Sequence, residues 1–226
     1  MSKTLATIRT DFYTLIDESE SNSHISASIA TGFANEAIQR VAIETHHPRK
    51  FDTGTQVTDN DADYDAASDF VYIVGAYFGD ESISGDKLPL KIVREAALKY
   101  IDPNWLDRSS ESKGRPTHLL CVDRNSFMLY PRPNADESAS GKKLWLYYSY
   151  TPTSVSADSD VPDLPDVYHD ALKYYMAFLA YNGKLANPQQ AAINFKLFNT
   201  EIEARRFGGE MEAEENLRFQ WGFREE

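Results

Sequence analysis

The sequence predicts an α+β fold in which an antiparallel helical bundle, made from N- and C-terminal helices, carries an inserted antiparallel β domain and an extended C-terminal arm. Two patterns lead there. Apolar residues recur at helical spacing near both ends of the chain, and the middle holds runs of β-branched and aromatic residues separated by polar turns.

Over residues 3–17, Leu5, Ile8, Phe12, Leu15 and Ile16 trace one helical stripe, with Arg9, Thr10, Asp11 and Asp17 elsewhere on the surface. A second helix is expected over about 24–45, where Ile25, Ile29, Phe33, Ala37 and Val41 repeat the stripe. "THHPRK" ends it, because Pro48 biases His47 away from helical geometry. Residues 52–69, "DTGTQVTDNDADYDAASD", lack apolar periodicity and read as loop or irregular edge structure.

"FVYIVGAYF" has strand composition, and "LPLKIVREAALKYIDPNWLDR" mixes a short strand near Leu90 to Val93 with a short helix ending before Pro103. From 117 to 150, "THLLCV", "SFMLYP" and "KLWLYYSY" read as a three-stranded antiparallel meander. In the last strand Leu144, Leu146, Tyr148 and Tyr150 share one face, and Trp145, Tyr147 and Ser149 the other. Both faces are apolar or aromatic, so both are expected to be covered.

A proline-punctuated stretch leads to a third helix over about 165–182, with Pro165 in its first turn and Asn182-Gly183 at its end. Asn187 and Pro188 signal a fourth helix to about 207, with Ala191, Phe195, Phe198 and Ile202 as its seam and Gly208-Gly209 as its stop. The expected division is therefore 1–50 and 161–208 for the bundle, 51–160 for the β-rich domain, and 209–226 for the arm. In the last 17 residues six glutamates face two arginines, and Leu217, Phe219, Trp221 and Phe223 are spaced two apart. That alternation suits a strand-like arm whose apolar residues dock on a partner surface or fold back on the chain's own core.

The chain has 226 residues, 42% hydrophobic and 26% charged, which is ordinary globular usage and enough to bury a core. Its formal net charge of -12 argues against clamping nucleic acid, since phosphate binding needs Lys and Arg to displace counterions. An acidic wall repels a phosphate backbone, so DNA could slide past it without sticking. The single cysteine, Cys121, rules out an intrachain disulfide framework, and no apolar stretch approaches the ~20 residues needed to cross a bilayer. A soluble protein made in a reducing compartment is expected.

The catalytic and metal motifs fail one by one. "DNDADYDAASDF" alternates Asp like a calcium loop, but counting from Asp59 puts Tyr64 and Phe70 where an EF-hand needs Gly and Glu. His46 and His47 are adjacent at a helix end, and His24, His118 and His169 are scattered singly. No GxSxG, HExxH or GxxxxGK[ST] occurs. No enzyme activity, cofactor or metal is expected.

One ordered series of features remains: "KGRPTHLLCVDRNSFMLYPRPNADESASGKKLWLYYSYTP" followed by "DSDVPDLPDVYHDALKYYMAFLAY". A Gly-x-Pro before a strand, a strand ending in Pro-x-Pro, an aromatic strand ending near Tyr-x-Pro, then Leu-Pro and a Tyr-rich helix resembles tailed-phage head-to-tail adaptor proteins, and the related tail tubular proteins of short-tailed phages. The resemblance runs from about Gly114 to Phe207; the N-terminal helices match in kind rather than in motif, and the 52–69 loop and the tail after 208 are left unmatched.

The resemblance implies a virion structural protein at the neck, made in the host cytoplasm. It would form a ring of about twelve copies that joins the portal protein to a tail or nozzle protein and lets DNA pass unbound. Leu217, Phe219, Trp221 and Phe223 are then the candidate partner-binding anchors, because large apolar side chains dominate interface energy. Two alternatives stay open: a tail-completion, neck or tail tubular protein of the same particle, and, from another class, a carbohydrate-binding module or hydrolase stacking sugars on Trp105 or Trp145.

Overall fold

Thr4 and Ser26 open the first two helices. The Thr4 hydroxyl accepts the Thr7 N–H at the start of α1 (Leu5–Leu15), and the Ser26 hydroxyl accepts the Ile29 N–H at the start of α2 (Ala27–Thr45). α2 stops at His46, which takes the left-handed conformation at φ 53°, two residues before Pro48. The computed structural model describes residues 2–221 apart from 21–23, 59–62, 81, 84–85, 104–112, 124–125 and 139–140, with backbone only at 101 and 206–221.

The chain divides into two compact units, one holding 1–48 with 151–226 and the other Arg49–Tyr150. In the second unit the described strands are β1 (Arg49–Phe51), β2 (Thr55–Gln56), β3 (Asp63–Asp65), β4 (Phe70–Asp80), β5 (Leu88–Pro89) and β6 (Lys91–Val93). A short helix, α3 (Glu95–Ile101), precedes β7 (His118–Cys121), β8 (Ser126–Tyr130) and β9 (Lys142–Tyr150). They form two sheets, one in the order β1-β9-β4-β5 with β2 also on β9, the other β3-β8-β7-β6. The facing layers bury Phe78, Leu144, Leu146 and Tyr148 from the first sheet with Leu119, Phe127 and Leu129 from the second. Each fully buried apolar side chain contributes about 1.5–3 kcal/mol.

Two expectations for this region are corrected. β7 and β8 pair antiparallel, but β9 leaves them and pairs with β1, β2 and β4, so the 117–150 stretch is no three-stranded meander. The 131–141 connection is long enough to carry the chain from one sheet to the other, which a two-residue hairpin could not do. The domain is also not wholly antiparallel, since β6 runs parallel to β7, with α3 in the connection between them.

The first unit is completed by a 3-10 turn at Asp166–Tyr168, then α4 (His169–Asn182) and α5 (Pro188–Trp221). Its core draws Leu5, Ile8 and Phe12 from α1, and Ala34, Ile38 and Val41 from α2. Leu172 and Met176 come from α4, and Phe198 and Ile202 from α5. Alanines on α2 let neighbouring chain approach closely, and tilted aromatic pairs such as Tyr175–Phe198, 5.0 Å between centroids, fill the space beside α5.

The return segment before α4 is bound into this unit by side chains. Asn35 on α2 acts as a surrogate backbone, donating from Nδ2 to the Val155 carbonyl at 3.0 Å and accepting the Val155 N–H on Oδ1 at 2.8 Å. Arg9 reaches Asp158 at 2.8 Å, and the Leu5 N–H donates to the Asp160 carbonyl.

A third correction concerns the C-terminus. Gly208-Gly209 does not stop the last helix, and the arm is not extended as far as Trp221: α5 continues through both glycines to that residue, and 222–226 lie outside the described residues. Each glycine costs about 1 kcal/mol relative to Ala, but "EMEAEENLRF" is rich in strong helix formers, and an uninterrupted helix avoids exposing a new set of terminal carbonyls.

Candidate interaction surface

β9 is the central strand of a sheet face that carries a cluster of aromatic side chains. Its register sets Tyr147 opposite both Phe51 of β1 and Gly75 of β4, and Trp145 opposite Tyr77. These side chains share the sheet face turned away from the domain core. Phe51 stacks on Tyr147 at 4.7 Å between centroids and stays half exposed, while Tyr77 lies 5.6 Å from Phe51. Lys87, just before β5, brings its ammonium to 4.2 Å from the Trp145 ring, 5.0 Å from Phe51 and 6.0 Å from Tyr77.

The cover over this face is selective. Asp52 turns the chain: its Oδ1 accepts N–H groups from Gly54 and Leu146, both at 3.0 Å, and its own N–H donates to the Leu146 carbonyl. Burial raises the Asp52 carboxyl above the ordinary range, offset in part by those two N–H donors and by Lys87. Gly54, at φ 78°, then crosses the indole so closely that a Cβ there would sit 2.5 Å from Trp145 Nε1. Trp145 is left 3% exposed. It cannot stack on a sugar ring without displacing that turn, and Trp105 lies outside the described residues. Tyr148, on the inner face, donates its hydroxyl to Asp69, which Lys50 also binds.

The other chemical candidates that the structure describes make contacts within the fold. His169 is buried, with Nδ1 accepting the Lys3 N–H at 2.9 Å and Nε2 donating to the Leu164 carbonyl at 3.1 Å. His46 caps α2, His47 lies beside the Tyr168 ring, and His118 lies beside Tyr130. No group of three or more metal-ligating side chains occurs among the described residues. Asp63 and Asp65 sit on β3, while Asp59 and Asp61 fall outside the described residues.

Cys121 lines an open pocket of about 390 Å³ between the two sheets, together with Phe70, Ile92, Val93 and Phe127. Burial pushes its thiol up, which favours the protonated, unreactive form. No described helix is long and apolar enough to cross a membrane.

Of the anchors expected on the C-terminal segment, Leu217, Phe219 and Trp221 are residues of α5, and Phe223 lies outside the described residues. Phe51 and Lys87 escaped sequence reasoning. The only trace of the first was the alternation in "RKF", which puts Arg49 and Phe51 on one face of a strand too short to recognise.

A search of curated proteins found no match. The family model described as SU10 adaptor protein matches residues 3–218, nearly the whole chain and well past the Gly114–Phe207 stretch in which the ordered turns and strands had suggested such a relationship. With helices from both chain ends around one core, two sheets in the intervening sequence and a match of that length, the chain belongs to the SU10 adaptor protein family, a family of phage head-to-tail adaptors.

Proposed function

We propose that this protein is a virion structural component that assembles into a ring of about twelve copies, joining the portal to the tail and continuing the DNA channel. The family match over residues 3–218 is the observation that carries this reading. Net charge supports it: at -12 per copy, a ring repels the phosphate backbone along its length, which suits DNA transit without capture. Residues 210–226 supply the attachment, with Leu217, Phe219, Trp221 and Phe223 as anchors on a neighbouring subunit or the portal.

The test is co-expression with the portal and tail proteins of the same particle, purification, and electron microscopy. Twelvefold rings bound to portal are expected from the full chain, and no attachment from a chain lacking residues 210–226 that keeps its native circular dichroism. Unchanged co-assembly by the truncated protein would refute the role of the segment. Absence of any ring with the portal present would refute the adaptor reading.

A further inference from the structure

Resting on that reading, we infer that the outer face of the five-stranded sheet, centred on Phe51 and Lys87, receives residues 210–226 of a second copy of this chain. The face combines a half-exposed ring with an exposed ammonium held above three aromatic side chains. Among the described residues Lys87 forms no ion pair, though its charge acts on the nearby Asp52 carboxylate, whose Oδ1 accepts two backbone N–H groups. In a chain of net charge -12, this face sets an exposed cation among aromatic side chains.

Residues 210–226 are its complement. They carry six glutamates against two arginines, interleaved with Leu217, Phe219, Trp221 and Phe223. Acidic side chains answer Lys87, and the large apolar ones extend the aromatic surface of Phe51, Tyr77 and Tyr147. Because the face and the segment are different surfaces, pairing them between copies is a heterologous contact, the kind that closes into a ring.

The experiment uses the full-length chain with a photo-crosslinking amino acid at Phe51, prepared as an equal mixture of isotope-labelled and unlabelled protein and irradiated in assembled particles. Mass spectrometry should find crosslinks to residues 210–226 that join labelled to unlabelled chains. They should fall at least about tenfold in Lys87→Glu and persist in Lys87→Arg, since a lost and reversed charge contact weakens binding by that order. Crosslinks within one chain, crosslinks only to other segments, or yields indifferent to Lys87→Glu overturn the inference. If deleting 210–226 abolishes attachment while Phe51 shows no crosslink to that segment, the segment acts elsewhere: the adaptor reading stands and this one fails.

Discussion

Replacing Asn35 with Ala tests how the return segment is held on the helical unit. Asn35 supplies both partners of one backbone unit, a donor to the Val155 carbonyl at 3.0 Å and an acceptor for the Val155 N–H at 2.8 Å, and the Val155 side chain is only 4% exposed. Both bonds are part-buried, so water replaces them only in part. Each orphaned buried polar group costs about 1–3 kcal/mol, so after partial relaxation the substitution should destabilise by about 2–4 kcal/mol. For a chain of this size that corresponds to a fall in Tm of roughly 5–15 °C.

Thermal and urea unfolding followed by far-UV circular dichroism would measure it. Asn35→Asp should not rescue, because it keeps the acceptor but turns a second carboxylate oxygen toward the Val155 carbonyl. Gln39→Ala, an exposed change on the same helix, is the control and should stay within about 0.5 kcal/mol. A loss for Asn35→Ala no larger than the control would refute the claim that this side chain completes the backbone pairing.

Gly79→Ala should be among the most damaging substitutions in the β domain. At φ 153° its new Cβ would meet the Asp86 carbonyl oxygen at 2.1 Å, a backbone clash on top of the ~1–3 kcal/mol strain of such a conformation, and a urea midpoint close to wild type would contradict it. Asp170 carries an acid dependence. The Lys3 hydrogen bond, working against burial, holds its carboxyl below the ordinary carboxylate range. Its stabilising effect is therefore complete above an unfolded pKa of about 4 and is lost as pH falls through the lower folded value. Asp170→Asn should flatten the stability profile on the acid side of about pH 4, and an unchanged profile would rule the pair out as a contributor. Cys121 should react with a disulfide reagent near neutral pH at least about tenfold more slowly in the native protein than in urea, given its partly buried, protonated state. Equal rates would mean the pocket leaves the sulfur open.

Much of the fold was legible because helices are written locally. The stripes at Leu5, Ile8 and Phe12 and at Ala191, Phe198 and Ile202 identify buried faces, and each is buried in the helical core or beside it. Where the reading failed, the competing effects were distributed. Gly208-Gly209 looked like a stop, yet ten following residues of strong helix propensity outweigh two glycines. The aromatic strand 142–150 was placed with its sequence neighbours, although its partners are β1, β2 and β4.

The candidate face shows the same limit more sharply. Trp145 and Tyr147 were correctly put on the side of β9 away from Leu144, Leu146 and Tyr148, since side chains alternate along any strand. Phe51, 96 positions before Tyr147, and Lys87, 58 before Trp145, join them only because three distant segments pair and turn around β9.

Most helices, the acidic balance and the failure of every catalytic motif follow from the order of residues alone, because helical hydrogen bonds close within four residues and charge is a sum over the chain. Which strand lies beside which, and hence the setting of a cation over aromatics on an accessible face, was decided by the tertiary structure. A strand's partners can come from anywhere in the chain, and its own alternation says which residues share a face without saying what they will meet there.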